Sequence, residues 1–258
     1  AHDMRTGVRL DGPKPTWARP DGGDAGLHPS NIHDTGYAFG TVDFTGDTPV
    51  LLGPDGPSLG GFTCPATVAA GERWKLGQLA PGDRVRFVPI DGERADAVRR
   101  RNLHVTRTLR APSSDVRLSP RRDAASGVLL AEPAVGDRPA LTVRRSGDAF
   151  AVVEYGPMEL DLELRARVHA LDEWLAEHAP DAVVDVTPGI RSLQLHYDSR
   201  LLSQTALLDA LIAAEDRLGG LDDFAIPSRT VHLPLSWDDP AIHETVAKYM
   251  SSVRDDAP

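Results

Sequence analysis

Between His28 and Pro65 the chain collects the side chains best suited to chemistry. His28-Pro-Ser-Asn-Ile-His-Asp34 is followed by Val42-Asp-Phe-Thr-Gly-Asp47 and then by Gly53-Pro-Asp-Gly-Pro-Ser-Leu-Gly-Gly-Phe-Thr-Cys-Pro65. Two imidazoles (His28, His33), one amide (Asn31) and four carboxylates (Asp34, Asp43, Asp47, Asp55) fall inside that span. An imidazole can shuttle a proton near neutral pH, and a carboxylate accepts two N–H bonds in a fork. The surrounding glycines and prolines suit a loop that holds polar groups in fixed, unusual backbone geometry. The span reads as one wall of an active site, with His33-Asp34 as its acid–base pair.

Plainer roles compete at each position. His28 precedes a proline and orders the loop. Asp47, in Thr45-Gly-Asp-Thr-Pro49, either braces a turn or reaches a substrate. Cys64 has no base near it in sequence and reads as a small core residue. His169, His196 and His232 lie inside helix or strand patterns at spacings that suggest no metal site. Arg191, after Pro188-Gly189, steadies a turn or holds a carboxylate.

Composition bounds the rest. With 258 residues and 41% hydrophobic side chains the chain can bury a real core, in one large domain or two small ones. It contains no apolar run of about 18 residues, the length a spanning helix needs. A single cysteine rules out an internal disulfide and fits a reducing cytoplasm. A net charge of -10 argues against nucleic acid as the main partner. The start, Ala1-His-Asp-Met-Arg-Thr, lacks signal-peptide character, and the natural start is expected upstream.

The elements that must position these groups change along the chain. Residues 1–91 hold short β-type runs: Tyr37–Val42, Pro49–Leu52 and the alternating Arg84–Ile90. Residues 92–138, with ten Arg against six Asp or Glu, read as a mostly flexible linker; a basic docking patch is the sharper alternative. From 139 onward, Ala140–Arg145 and Ala149–Tyr155 form a hairpin around Ser-Gly-Asp. Pro157 opens a helix with Leu164, Val168, Leu171 and Leu175 on one face. Strands Ala182–Val186 and Ser192–Tyr197 follow, then a helix capped by Ser203, then a strand Thr230–Leu235. That order, β-α-β-β-α-β over 139–235, is a ferredoxin-like α+β arrangement. Asp238-Asp-Pro240 starts a last helix whose apolar Val246, Met250 and Val253 have nothing later to cover them.

Several of these words resemble a known family. Gly12–Pro20, His28–Asp34, Phe44–Asp47, Gly53–Pro65 and Trp74–Leu79 are similar to the carboxyltransferase region of biotin-dependent urea carboxylase, the carboxylase part of urea amidolyase, whose relatives include guanidine carboxylases. Glu154-Tyr-Gly-Pro157, Thr187–Ser192 and Leu233–Pro240 resemble the next part of the same polypeptide. In those terms residues 1–91 resemble the C-terminal part of an allophanate hydrolase subunit 2 domain, a cyclophilin-like β-barrel seen in part. Residues 139–235 resemble the α+β part of the subunit 1 domain, and 236–258 the truncated start of its barrel.

The resemblance implies a carboxyltransferase that moves CO2 from carboxybiotin to a substrate nitrogen. Asn31, Asp43 and Asp47 would then bind urea or guanidine, His33 and Asp34 would do acid–base work, and Gly60 and Gly61 would line the approach of biotin. Asp43 tilts the reading slightly towards guanidine. No ATP-grasp segment and no Met-Lys-Met biotinylation site is present, so ATP, Mg and the biotin attachment are expected on separate biotin carboxylase and carrier domains. The fragment is expected to be inactive alone, and its parent is open to forming an oligomer. The competing family reading is a 5-oxoprolinase-type hydrolase assembly, and the competing non-enzyme reading is a regulatory relative of the subunit 1 domain.

Overall fold

Short strands separated by glycine and proline occupy the first part of the chain, as the run lengths require. In the computed structural model, which describes residues 5–110, 127–220 and 228–253, they are β1 (Gly7–Arg9), β2 (Asn31–Gly36), β3 (Thr41–Thr45), β4 (Thr48–Leu52), β5 (Leu59–Phe62) and β6 (Ala66–Thr67). They form a sheet ordered β1-β4-β3-β6 and a separate β2-β5 pair, all antiparallel. No closed barrel forms among the described residues. The β3–β4 hairpin turns through Gly46-Asp47, with Gly46 at φ 64, where a Cβ is unwelcome.

Two expectations for this region are corrected. The strand read at Tyr37–Val42 begins only at Thr41, because Thr41 N–H turns back to Ala38 C=O at 3.1 Å. Arg84–Ile90 alternates correctly yet joins no sheet, and Val85 and Phe87 remain exposed. Alternation says which face is apolar and leaves open whether a partner strand lies beside it.

A third correction concerns the linker. Residues 92–108 form α1 (Gly92–Thr108), started by Asp91, whose Oδ1 accepts Arg94 N–H at 2.9 Å, and ended by Leu109 at φ 53. Its buried Ala95 and Val98 make too narrow a stripe to read as amphipathic among so many arginines, but they suffice to seat it on the 3-10 stretch Ala70–Gln78. The approach is close: a Cβ on Gly71 would stand 2.9 Å from Arg99 N. Residues 111–126 of the expected linker lie outside the described residues.

The next strands and helices are β7 (Val128–Glu132), β8 (Leu141–Arg145), β9 (Phe150–Tyr155), α2 (Leu162–His178), β10 (Val183–Pro188), β11 (Ser192–Tyr197) and α3 (Gln204–Leu218). One antiparallel sheet runs β10-β11-β9-β8-β7, so β9-α2-β10 is a split crossover with β11 between its strands. Leu164, Val168, Leu171 and Leu175 of α2 and Leu207 and Leu211 of α3 bury against Val153, Leu193 and Leu195. The architecture is α+β. The helix does not open at Pro157: Asp161 Oδ1 accepts Glu163 N–H at 2.7 Å and Leu164 N–H at 3.3 Å, a stronger start signal than a proline five residues earlier. Thr230–Leu235 adds no strand; β8, already hydrogen-bonded to β9 through a local hairpin, fills the place beside it.

The chain divides into two compact units, Ala1–Phe224 and Ala225–Pro258. In the second, α4 (Pro240–Val253) is capped by Asp239, whose Oδ1 accepts Ile242 N–H at 3.0 Å. Ile242, Val246 and Met250 share one exposed face; the Val253 side chain lies outside the described residues. Among the described residues no helix is long and apolar enough to cross a membrane.

Candidate active site

Strand β2 carries three of the expected site residues and is irregular where they sit. It pairs with β5 at Asn31–Phe62, Thr35–Gly60 and Gly36–Leu59, and the register slips between Asn31 and Thr35. His33 and Asp34 therefore occupy a bulge, the device by which a strand re-aims a side chain. His33 Nε2 is buried with no hydrogen-bond partner, whereas Asp34 is exposed. The two form no hydrogen bond with each other, so the expected acid–base couple is not a bonded pair.

Asn31 is committed to its own loop. Its Oδ1 accepts His28 N–H at 3.0 Å, its N–H donates to His28 C=O at 2.8 Å, and Arg19 donates to the carbonyls of Pro29 (3.0 Å) and Asn31. A Cβ on Gly26 would stand 3.0 Å from Asn31 Cγ, so the loop closes only because that residue is glycine.

Asp43 and Asp47 end up in different surroundings. Asp43, in the middle of β3, is 4% exposed; Thr45 Oγ1 donates to its Oδ2 at 2.8 Å, and Cys64 Sγ lies 3.9 Å from its Oδ1. Burial pushes its carboxyl above the ordinary carboxylate range, with donation from Thr45, Tyr37 and Cys64 only partly offsetting it. Among the described residues Asp43 has no ion pair. Phe44, its neighbour, projects from the opposite face of the strand and packs edge-on against Trp17. Trp17 Nε1 donates to Asp47 Oδ1 at 3.0 Å, Lys14 Nζ lies 3.1 Å from Oδ2 and His28 Nε2 3.6 Å from Oδ1. The indole and the lysine hold the Asp47 carboxyl below its usual range.

Residues 62–64 join the two strands: Thr63 N–H donates to Ser30 C=O at 2.8 Å and Phe44 N–H to Thr63 C=O at 3.1 Å. Just before this seam, Gly60 and Gly61 are packed tightly. A Cβ on Gly60 would stand 2.4 Å from the Tyr37 ring, and one on Gly61 would stand 3.0 Å from Ile32 O and 3.1 Å from Asp34 Oδ1. The structure thus brings Asp34 to Gly61, Asn31 to His28 and His28 to Asp47, and separates Asp43 from Asp47.

Sequence reasoning missed Tyr37, whose hydroxyl accepts Phe62 N–H at 2.6 Å beside Asp43. It also missed Trp17 and Lys14 on Asp47. No spacing rule joins them, since they come from separate loops. Burial and the neighbouring Asp43 push the thiol of part-buried Cys64 far above its ordinary value. Arg191 braces its turn, donating to Tyr155 O at 3.0 Å, Gly156 O at 3.2 Å and Glu154 Oε1 at 3.0 Å.

An open β layer carrying this cluster is joined to an α+β layer, and the chain belongs to the carboxyltransferase domain family. Residues 1–89 match Carboxyltransferase domain, subdomain A and B, and residues 141–254 match subdomain C and D. The chain is 40% identical over 260 residues to the urea amidolyase of Lachancea kluyveri, covering 98% of this chain and 14% of that protein. It is 34% identical over 281 residues to a putative urea carboxylase of Emericella nidulans, covering 97% of this chain and 22% of that protein. The crystal structure of Kluyveromyces lactis urea amidolyase superposes with a TM-score of 0.81 at 39% identity, over 98% of this chain and 16% of that one. The chain thus spans less than a quarter of the length of these relatives.

Proposed function

We propose that this chain is the carboxyltransferase portion of a biotin-dependent carboxylase that moves CO2 from carboxybiotin to a nitrogen of urea or guanidine, with guanidine favoured. The observation that carries the preference is Asp43, a buried carboxylate without a cation of its own among the described residues. Such a group is costly to bury unless something compensates its charge. Guanidinium is a planar cation that has only N–H donors, so it supplies that charge and fills both carboxylate oxygens. Urea, neutral and carrying an acceptor, would leave the charge uncompensated and suits an amide better.

Biotin, carried on another part of the parent protein, would supply the activated carboxyl group, released as CO2 beside the substrate. The residues present fit that visitor: His33 Nε2 is a buried polar atom without a partner, and the bare backbone of Gly60-Gly61 runs beside Asp34. Gly60 and Gly61 would flank the approach, one side of each closed by Tyr37 and Ile32. His33 takes an N–H proton from the substrate, because neither urea nor guanidinium nitrogen has a lone pair free to attack. Asp34, exposed on the same bulge and not bonded to His33, would assist from the solvent side, and the proton would return to the biotin nitrogen that loses CO2. Asn31 and Asp47 set the loop rim against which the substrate is oriented. The biotin carboxylase and carrier domains, with their ATP and Mg, belong to the parent protein.

The test is substrate-dependent ATP hydrolysis by the full-length enzyme. Guanidine should give the higher kcat/KM, and Asp43→Asn should move the preference towards urea. Equal use of both substrates by the parent, or an unmoved preference in the variant, removes Asp43 from this role.

A further inference from the structure

The bulge that holds His33 and Asp34 is paired by β5 on one side only at its ends; on the other side it is met by the second half of the chain. Ile190 N–H, in the turn between β10 and β11, donates to Asp34 C=O at 3.0 Å. Ser192 Oγ donates to Thr35 Oγ1 at 2.9 Å, and Gln194 Nε2 donates to Gly36 C=O at 2.8 Å. Three donors spaced along one segment thus meet three consecutive residues of β2.

The fit leaves no slack. A Cβ on Gly189 would stand 2.4 Å from Asp34 O, and one on Gly36 would stand 2.5 Å from Gln194 Cβ. Gln194 is 3% exposed, an amide buried in β11, an interior strand of the sheet, between Leu193 and Leu195, and its donated bond goes to β2. A strand with an irregular register is prone to slip, and a slip of one residue reverses every side chain along it. A row of donors fixed in a five-stranded sheet prevents that slip.

We infer that Gln194, with Ser192 and the Gly189-Ile190 turn, positions His33 for proton transfer, so that the subdomain C and D segment completes a site carried by the A and B segment. The inference rests on His33 being the proton acceptor. Gln194 is a positioning residue and touches no substrate.

Gln194→Met keeps the volume and removes the donor; Ser192→Ala is the milder companion should the first variant fold poorly. In the full-length enzyme Gln194→Met should lower kcat roughly ten- to a hundredfold with KM for the nitrogen substrate unchanged, the scale expected when a reacting group is displaced by about an ångström. In the 258-residue chain the His33 imidazole NMR signals should move, while those of His169, on α2, stay in place. His33→Asn separates the two ideas. If it leaves turnover intact, the catalytic reading of His33 fails. If it abolishes turnover while Gln194→Met and Ser192→Ala leave kcat and the His33 signals unchanged, the positioning role is overturned.

Discussion

Thr45 Oγ1 donates to Asp43 Oδ2 across two positions of one strand at 2.8 Å, and that hydroxyl is the main donor to a carboxylate that burial makes reluctant to ionise. Because the folded carboxyl ionises at higher pH than the unfolded one, the folded chain keeps a proton that the unfolded chain has released. Stability therefore falls as pH rises from the ordinary carboxylate range through the raised value, and the penalty is fully present above it. Asp43→Asn should flatten this decline and raise the melting temperature at pH 7. A thermal melt series from pH 4 to 8 checks it; an unchanged slope would show that Asp43 ionises freely.

Cys64 should be inert in the folded chain. Burial and Asp43 both oppose its thiolate, and thiolate is the reactive form. A thiol reagent at pH 8 should label the native protein slowly and label one group per chain after denaturation, since the sequence holds one cysteine. Fast native labelling would restore Cys64 as a candidate nucleophile.

The charged cluster inside the α+β core should be far more sensitive. Arg167 is 0% exposed; it ion-pairs with Glu215 and donates to Gly219 C=O at 2.7 Å, while Tyr155 donates to the other Glu215 oxygen. Removing one partner strands the other, so Glu215→Ala should cost about 3–5 kcal/mol in a urea melt. A loss comparable to that of an exposed pair such as Arg5–Asp55 would contradict the burial.

Gly60→Ala tests the packing against Tyr37. The new Cβ would meet the ring at 2.4 Å, and the ring is anchored through its hydroxyl to Phe62 N–H, so overpacking should cost about 1–3 kcal/mol. Tyr37→Ala in the same chain should recover part of that loss; if it recovers none, the clash is with something else.

His196 stacks on Phe150 with ring centroids 4.3 Å apart, and burial, aided by Arg73, lowers its ionisation below the ordinary histidine value. Its neutral form is therefore favoured by folding, a contribution held above the unfolded value and lost as pH falls through the folded one. An NMR titration should place His196 below the ordinary histidine value.

The second half of the fold was legible because its signals are local. Leu164, Val168, Leu171 and Leu175 repeat with the helix period, Ser203 caps α3 through Ala206 N–H at 3.2 Å, and all four leucine and valine positions are buried. The first half was legible in composition and less so in geometry. Arg84–Ile90 alternates like a strand but gains no partner, and α1 hides its Ala95–Val98 stripe among arginines. Of the site, residue types could be read, but surroundings could not. Asp43 and Asp47 stand four positions apart in one motif, yet one is buried beside Tyr37 and the other lies at the rim under Trp17, because β3 ends at Thr45 and Asp47 falls in the hairpin turn, where Lys14 and Trp17 reach it. Gln194 carried a faint signal: a lone amide between two leucines in an interior strand has to satisfy its polar atoms somewhere.

Because β8 precedes β9 and already occupies its free edge, the five-stranded layer recruits every one of its members from before residue 198. The sheet that grips β2 is thus complete in strands before α3 begins.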